Sequence, residues 1–117
     1  MSIPVIAFFN NKGGVGKTSL VYHLTWMYAD LGLRVLAADL DPQANLTAAF
    51  FDEEELEQFW ERDRSTVASC VDPLIQGAGD VSEAEAQPVT SQLALLVGDL
   101  LLSGFEDQLS EVWPKCQ

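Results

Sequence analysis

Apolar positions in this chain come in short blocks, and the spacing inside each block assigns an element. Residues 3–9 are a near-continuous apolar run rich in β-formers, with Pro4 near its start, where a proline costs a strand least. Such a run is expected as a buried first strand. Over residues 17–31 the period changes: Leu20, Val21, Leu24, Met27, Tyr28 and Leu31 recur at helical intervals on one face, and Gly32 follows where helices commonly stop. Residues 35–38 form a second small apolar run, closed by Asp39-Leu40-Asp41-Pro42. Strand, loop, helix and strand within about 40 residues matches a βαβ unit.

Beyond Pro42 the spacing predicts helices over 43–51, 53–62 and 66–75. The acidic run Asp52-Glu53-Glu54-Glu55 suits a helix start, because carboxylates complement the positive end of the helix dipole, and its plain reading is a solvated first turn. Residues 76–87, with Gly77 and Gly79, suggest a surface loop. Residues 93–97 suggest another buried strand, and 103–113 a last helix with Ser103 as N-cap and Glu106 as its capping-box partner. The expectation is one α/β domain over 1–117: strand, glycine-rich loop, helix and strand through residue 51, then a mostly helical part with one further strand. No internal repeat or low-complexity tract is evident.

At 117 residues and 48% hydrophobic content, the chain can pack an ordinary core. No apolar run approaches the roughly 20 residues of a membrane helix, and no signal-peptide pattern opens the chain, so a cytoplasmic protein without membrane association is expected. Cys70 and Cys116 are far apart, without CxxC spacing or a nearby histidine, which indicates neither a zinc site nor a disulfide framework. The net charge is −12, with six basic residues against eighteen acids. Nucleic-acid affinity depends on Lys and Arg neutralising phosphates, so this segment is not expected to bind DNA.

Two of those six cations stand in Lys12-Gly13-Gly14-Val15-Gly16-Lys17-Thr18, between the expected strand and helix. Glycines let successive backbone amides point inward around a phosphate, and the following helix turns its unpaired N-terminal amides to the same anion. In such a loop Lys17 would reach the β and γ phosphates of a nucleotide, and the Thr18 hydroxyl would ligate Mg²⁺. The plain phosphate-loop motif asks for glycine at position 11, where this chain has Asn11. A purposeless glycine turn is the bland alternative, disfavoured by the strand before it, the helix after it and a second motif downstream. His23 has no carboxylate partner in sequence and suits a surface or packing role, and Trp26, Trp60 and Trp113 suit core or interface anchors.

The loop resembles the deviant Walker A of the ParA/MinD family of P-loop ATPases, in which a lysine near the loop's start is the defining addition. Here that residue is Lys12. The resemblance implies a parallel sheet flanked by helices, ATP and Mg²⁺ as ligands, and a phosphate-binding set of Lys12, Gly13, Gly14, Val15, Gly16, Lys17, Thr18 and Ser19. It also implies a homodimer in which Lys12 reaches the partner's ATP and stabilises developing charge as an arginine finger does. Asp39-Leu40-Asp41-Pro42-Gln43-Ala44-Asn45 resembles the family's second signature. By that pattern Asp41 positions the attacking water, and Asp39 helps hold Mg²⁺ through its water shell. Taken alone, two acids before a proline suit a capped turn equally well.

The resemblance is strong over residues 3–51 and fainter over 93–113, where Asp99 fits a strand preceding Walker B better than Walker B itself. It implies an ATP-hydrolysing dimerisation switch in plasmid or chromosome partitioning, or in positioning another cargo, with a ParB-like activator. Family members are typically at least twice this long and include a Walker B strand, so the chain is expected to be an N-terminal portion, incomplete in fold. A truncated, non-hydrolysing nucleotide-binding or interaction module is the alternative. An electron-transfer ATPase similar to nitrogenase iron protein would need cluster-ligating cysteines, which Cys70 and Cys116 do not resemble. A related tyrosine kinase would need a terminal tyrosine cluster, whereas Tyr22 and Tyr28 both fall in the first helix.

Overall fold

In the computed structural model, which describes residues 2–9, 16–61, 66–77 and 79–99, the helical spacing after the glycine-rich loop becomes α1 (Lys17–Asp30). Its end is set by Gly32, whose φ of 88° lies in the left-handed region. That conformation lets the Gly32 amide donate to the Ala29 carbonyl and the Leu33 amide to the Tyr28 carbonyl, the paired bonds of a Schellman cap. The chain then reverses into β1 (Val35–Ala38), at the bounds the apolar run predicts.

Three helices follow. The first is α2 (Asn45–Phe50), entered through Ala44 in a left-handed conformation. The next, α3 (Glu53–Glu61), begins at the acidic run: the Glu55 amide donates to Asp52 Oδ1 at 2.9 Å and the Asp52 amide to Glu55 Oε2 at 3.0 Å. Part of the acidic cluster is thus a reciprocal capping box. The last, α4 (Val67–Ile75), has Thr66 as N-cap, with Thr66 and Ser69 exchanging side-chain to backbone bonds.

Two strands complete the described sheet, β2 (Gln87–Pro88) and β3 (Leu93–Leu96), in the order β1-β3-β2. β1 and β3 run parallel, with Val35 opposite Leu93 and Ala37 opposite Leu95. β2 pairs antiparallel to β3, so the sheet is mixed rather than purely parallel. Residue 87 was expected in a loop. The hairpin forms because the Val89 and Thr90 amides both donate to the Leu93 carbonyl, which folds the chain back while Gln87 becomes buried.

β3 is the centre of the core. Leu93, Leu95 and Val97 are fully or almost fully buried, and Ala37, Leu46, Leu56 and Phe59 pack with Leu95 and Val97. Tyr22 and Phe50 join at a ring separation of 4.8 Å, and Phe51 meets Phe59 edge-on at the same distance. Trp26 packs with the first of these pairs, while Trp60 is partly exposed and donates its indole N–H to the Gly98 carbonyl at 3.1 Å. His23 is exposed beside Tyr22. On the opposite face of β1, Leu36 is exposed, as is Leu40 just beyond the strand.

A larger expectation is overturned as well. Residues 3–9 are not a buried strand: Ile3, Val5 and Phe9 are each more than 80% exposed, and no described ladder includes them. Apolar, β-branched composition expresses a preference, but a strand exists only through a partner's backbone groups. β3 has both edges occupied, by β1 and β2, and residues 3–9 lie on neither remaining edge. The expected helix over 103–113, with Ser103, Glu106 and Trp113, lies outside the described residues, as does Cys116.

Candidate functional site

Gly16 enters α1 in a left-handed conformation, φ 82° and ψ 8°, which glycine adopts without steric cost. As N-cap it has no side-chain oxygen to offer, so the first-turn amides of Lys17, Thr18 and Ser19 face outward from a helix whose dipole favours an anion there. Lys17 and Thr18 are half-buried and Ser19 is exposed. Lys12, Gly13, Gly14 and Val15 lie outside the described residues.

The second motif leaves the C-terminal end of β1, the edge at which ligands bind in open α/β sheets. Its two acids occupy different surroundings. Asp41 is partly exposed; its Oδ2 lies 3.9 Å from Lys17 Nζ, and its Oδ1 accepts the Gln43 amide at 3.0 Å. Asp39 is only 3% exposed. Its Oδ1 accepts the Asp41 amide at 3.2 Å, while its Oδ2 accepts both the amide and the hydroxyl of Thr47, at 2.9 and 2.6 Å. Both acids therefore make the local turn bonds expected of aspartate before a turn. Asp41 additionally faces the lysine at the start of α1.

Sequence reasoning missed three participants. Thr47, on α2, is completely buried and accepts the Gly98 amide on its hydroxyl oxygen at 2.8 Å. Gly98, just past β3, lies so close to Asp39 that a Cβ there would sit 2.9 Å from its carboxyl carbon. Ala44 has a φ of 55°, which holds the turn between Asp41 and α2. Thr47 and Gly98 are 51 residues apart, so no local pattern links them. Asp99, the residue set aside as a Walker B candidate, accepts the Thr66 hydroxyl at 3.3 Å near the start of α4.

The described groups fit a phosphate and a divalent cation. An uncapped helix start and an ammonium group suit the anion. The Thr18 hydroxyl and the Asp41 and Asp39 carboxylates are hard oxygen donors of the kind Mg²⁺ prefers. Among the described residues no cluster of three or more His, Cys, Asp or Glu suits a metal held by protein alone, and none of their helices is long and apolar enough to cross a membrane. A cation sharing its shell with phosphate and water needs fewer protein ligands.

The chain is also similar to known proteins. The AAA domain family matches residues 3–116. The sporulation initiation inhibitor protein Soj of Bacillus subtilis is 31% identical over 105 residues, covering 90% of this chain and 38% of that protein. The chromosome-partitioning ATPase Soj of Thermus thermophilus is 56% identical over 43 residues, 37% of this chain and 17% of that protein. The crystal structure of protein DIP2308 from Corynebacterium diphtheriae superposes with a TM-score of 0.77 at 34% identity, over 92% of this chain and 39% of that one. The chain thus spans well under half the length of these relatives, and by the match over nearly its whole length it belongs to the AAA domain family of ParA/MinD-like P-loop ATPases.

Proposed function

We propose that this chain forms part of an Mg²⁺-dependent, ATP-hydrolysing dimerisation switch of the ParA type, acting in plasmid or chromosome partitioning or in positioning another cargo. The observation that carries the proposal is Lys17, at the glycine-capped start of α1 and 3.9 Å from Asp41 at the end of β1. Those two elements bring an ammonium group beside a carboxylate, which supports reading the first as the phosphate's cation and the second as the group that orients water.

In this proposal the amides of residues 13–19 and the Lys17 ammonium hold the ATP phosphates, and the Thr18 hydroxyl holds the cation. Magnesium, when bound, would supply positive charge that offsets the negative charge of the phosphates. Asp41 accepts a hydrogen bond from the attacking water and aligns it with the terminal phosphorus. Asp39 supports the cation through a water and fixes the loop that carries Asp41. Lys12 extends to the ATP of a second copy, so that hydrolysis is coupled to dimerisation, and a ParB-like partner stimulates it. The name of the Thermus thermophilus relative, a chromosome-partitioning ATPase, supports the partitioning role, and the charge of −12 argues against DNA contact through this segment.

ATP binding and phosphate release by the full-length protein test the proposal. Lys17→Ala is expected to abolish both, because it removes the phosphate's nearest described cation. Turnover equal to the unsubstituted protein after Lys17→Ala would overturn it, and tight ATP binding without turnover would favour a non-hydrolysing module instead.

A further inference from the structure

We infer that Thr47 is a positioning residue for Asp41, acting through Asp39, and that the Gly98 amide completes the same clamp; the inference rests on the hydrolytic role proposed above. Thr47 sits inside α2 and is fully buried. Its hydroxyl donates to Asp39 Oδ2 at 2.6 Å and accepts the Gly98 amide at 2.8 Å. Because Asp39 offers a carboxylate and Gly98 an amide, the direction of each bond is fixed. A hydroxyl can serve both neighbours from one atom, which a thiol does only weakly and a methyl not at all.

The consequence reaches the site through the other carboxylate oxygen. With Oδ2 held by the Thr47 amide and hydroxyl, Asp39 Oδ1 is turned to the Asp41 amide. Asp41 in turn faces Lys17. A continuous line therefore runs from the end of β3, through Gly98, Thr47 and Asp39, to the backbone of the residue proposed to orient water. Gly98 permits the approach, since a side-chain carbon there would meet the Asp39 carboxylate at 2.9 Å. Burial matters as well: Asp39 is 3% exposed and Thr47 fully buried, so bulk solvent competes little for these bonds, even with one water bridging Asp39 to the cation. A residue that only filled the core would not need a hydroxyl. Thr47 supplies one where three elements meet.

Thr47→Val keeps the shape and removes the hydroxyl, whereas Thr47→Ser keeps the hydroxyl and removes a methyl. Misplacing a reacting group by about 1 Å can cost on the order of 100-fold in rate. Thr47→Val is accordingly expected to lower kcat for ATP at least about 10-fold with KM changed less than about 3-fold, and Thr47→Ser to restore kcat to within about 3-fold. Equal kcat in the folded Val variant and the unsubstituted protein overturns the inference, as does loss of activity in step with folded fraction in both variants. Should Thr47→Val not fold, Thr47→Cys, a weaker donor of similar size, is expected to give an intermediate kcat. In the unsubstituted protein the Asp41, Thr47 and Gly98 amides are expected to resist hydrogen exchange together, and rapid exchange at Gly98 removes the clamp itself. If the unsubstituted protein binds no ATP, the parent proposal fails and the positioning role with it, while slow exchange at Gly98 would identify a purely structural clamp.

Discussion

Replacing Gly98 by alanine sets two effects of opposite sign against each other. Gly98 is not among the glycines with positive φ, so alanine is compatible with its backbone and would gain about 0.4–1 kcal/mol from a less disordered unfolded chain. Against this, the new carbon would lie 2.9 Å from Asp39 Cγ and Oδ2 and 3.2 Å from its Cβ. The end of a side chain usually yields to such a clash at little cost. Asp39 is instead buried and held by three donors, the Asp41 amide and the amide and hydroxyl of Thr47. Hydrogen bonds to a charged group are worth roughly 1.5–3 kcal/mol each, and overpacking a filled site costs roughly 1–3 kcal/mol. If the carboxylate loses one bond and the site is also overpacked, the net effect is about 1.5–5.5 kcal/mol of destabilisation, after the entropic gain. Urea unfolding of the full-length protein measures it, and the midpoint should fall by about 0.5 M or more. Adding Asp39→Ala removes the carboxylate that clashes, so the pair should cost less than the sum of the two single changes. An unchanged or raised midpoint for Gly98→Ala would refute the reasoning, because it would mean that the Asp39 carboxylate moves freely.

Two other substitutions probe the surrounding frame. Thr66→Ala removes the acceptor for the Ser69 amide and the donor to Asp99, and should destabilise by about 1–2 kcal/mol, read by thermal or urea unfolding. Ala44→Val places a β-branched residue at a φ of 55° in a position only 4% exposed, and should cost about 2 kcal/mol or more, while Ala44→Gly stays within about 1 kcal/mol of the parent in the same assay.

The elements built from local signals were legible in the sequence. Residues 35–38 carry their strand in their composition, Gly32 marks the end of α1, and Asp52 with Glu55 marks the start of α3. The acids of the second motif were legible as candidates because they follow a strand. What stayed hidden depends on contacts between distant positions. Gly98 meets Thr47 across 51 residues, and nothing near Thr47 distinguishes it from an ordinary helical threonine. The segment over 3–9 shows the converse: its composition suits a strand, but pairing is decided by neighbours that local composition does not contain. Lys17 and Asp41 were assigned by motif, and their 3.9 Å approach is a product of the α1–β1 connection.

The parallel pairing of β1 with β3 also bears on the order of events as the chain folds. The segments that must meet are separated by α2, α3, α4 and β2, and closing so long a loop is opposed by chain entropy until the distant contacts form. Gly98 comes within reach of Thr47 only when that pairing is in place. A newly made chain can therefore shape α1 early, yet it acquires the braced carboxylate at the end of β1 as one of its last steps, and refolding followed through Gly98 protection should lag behind helix formation.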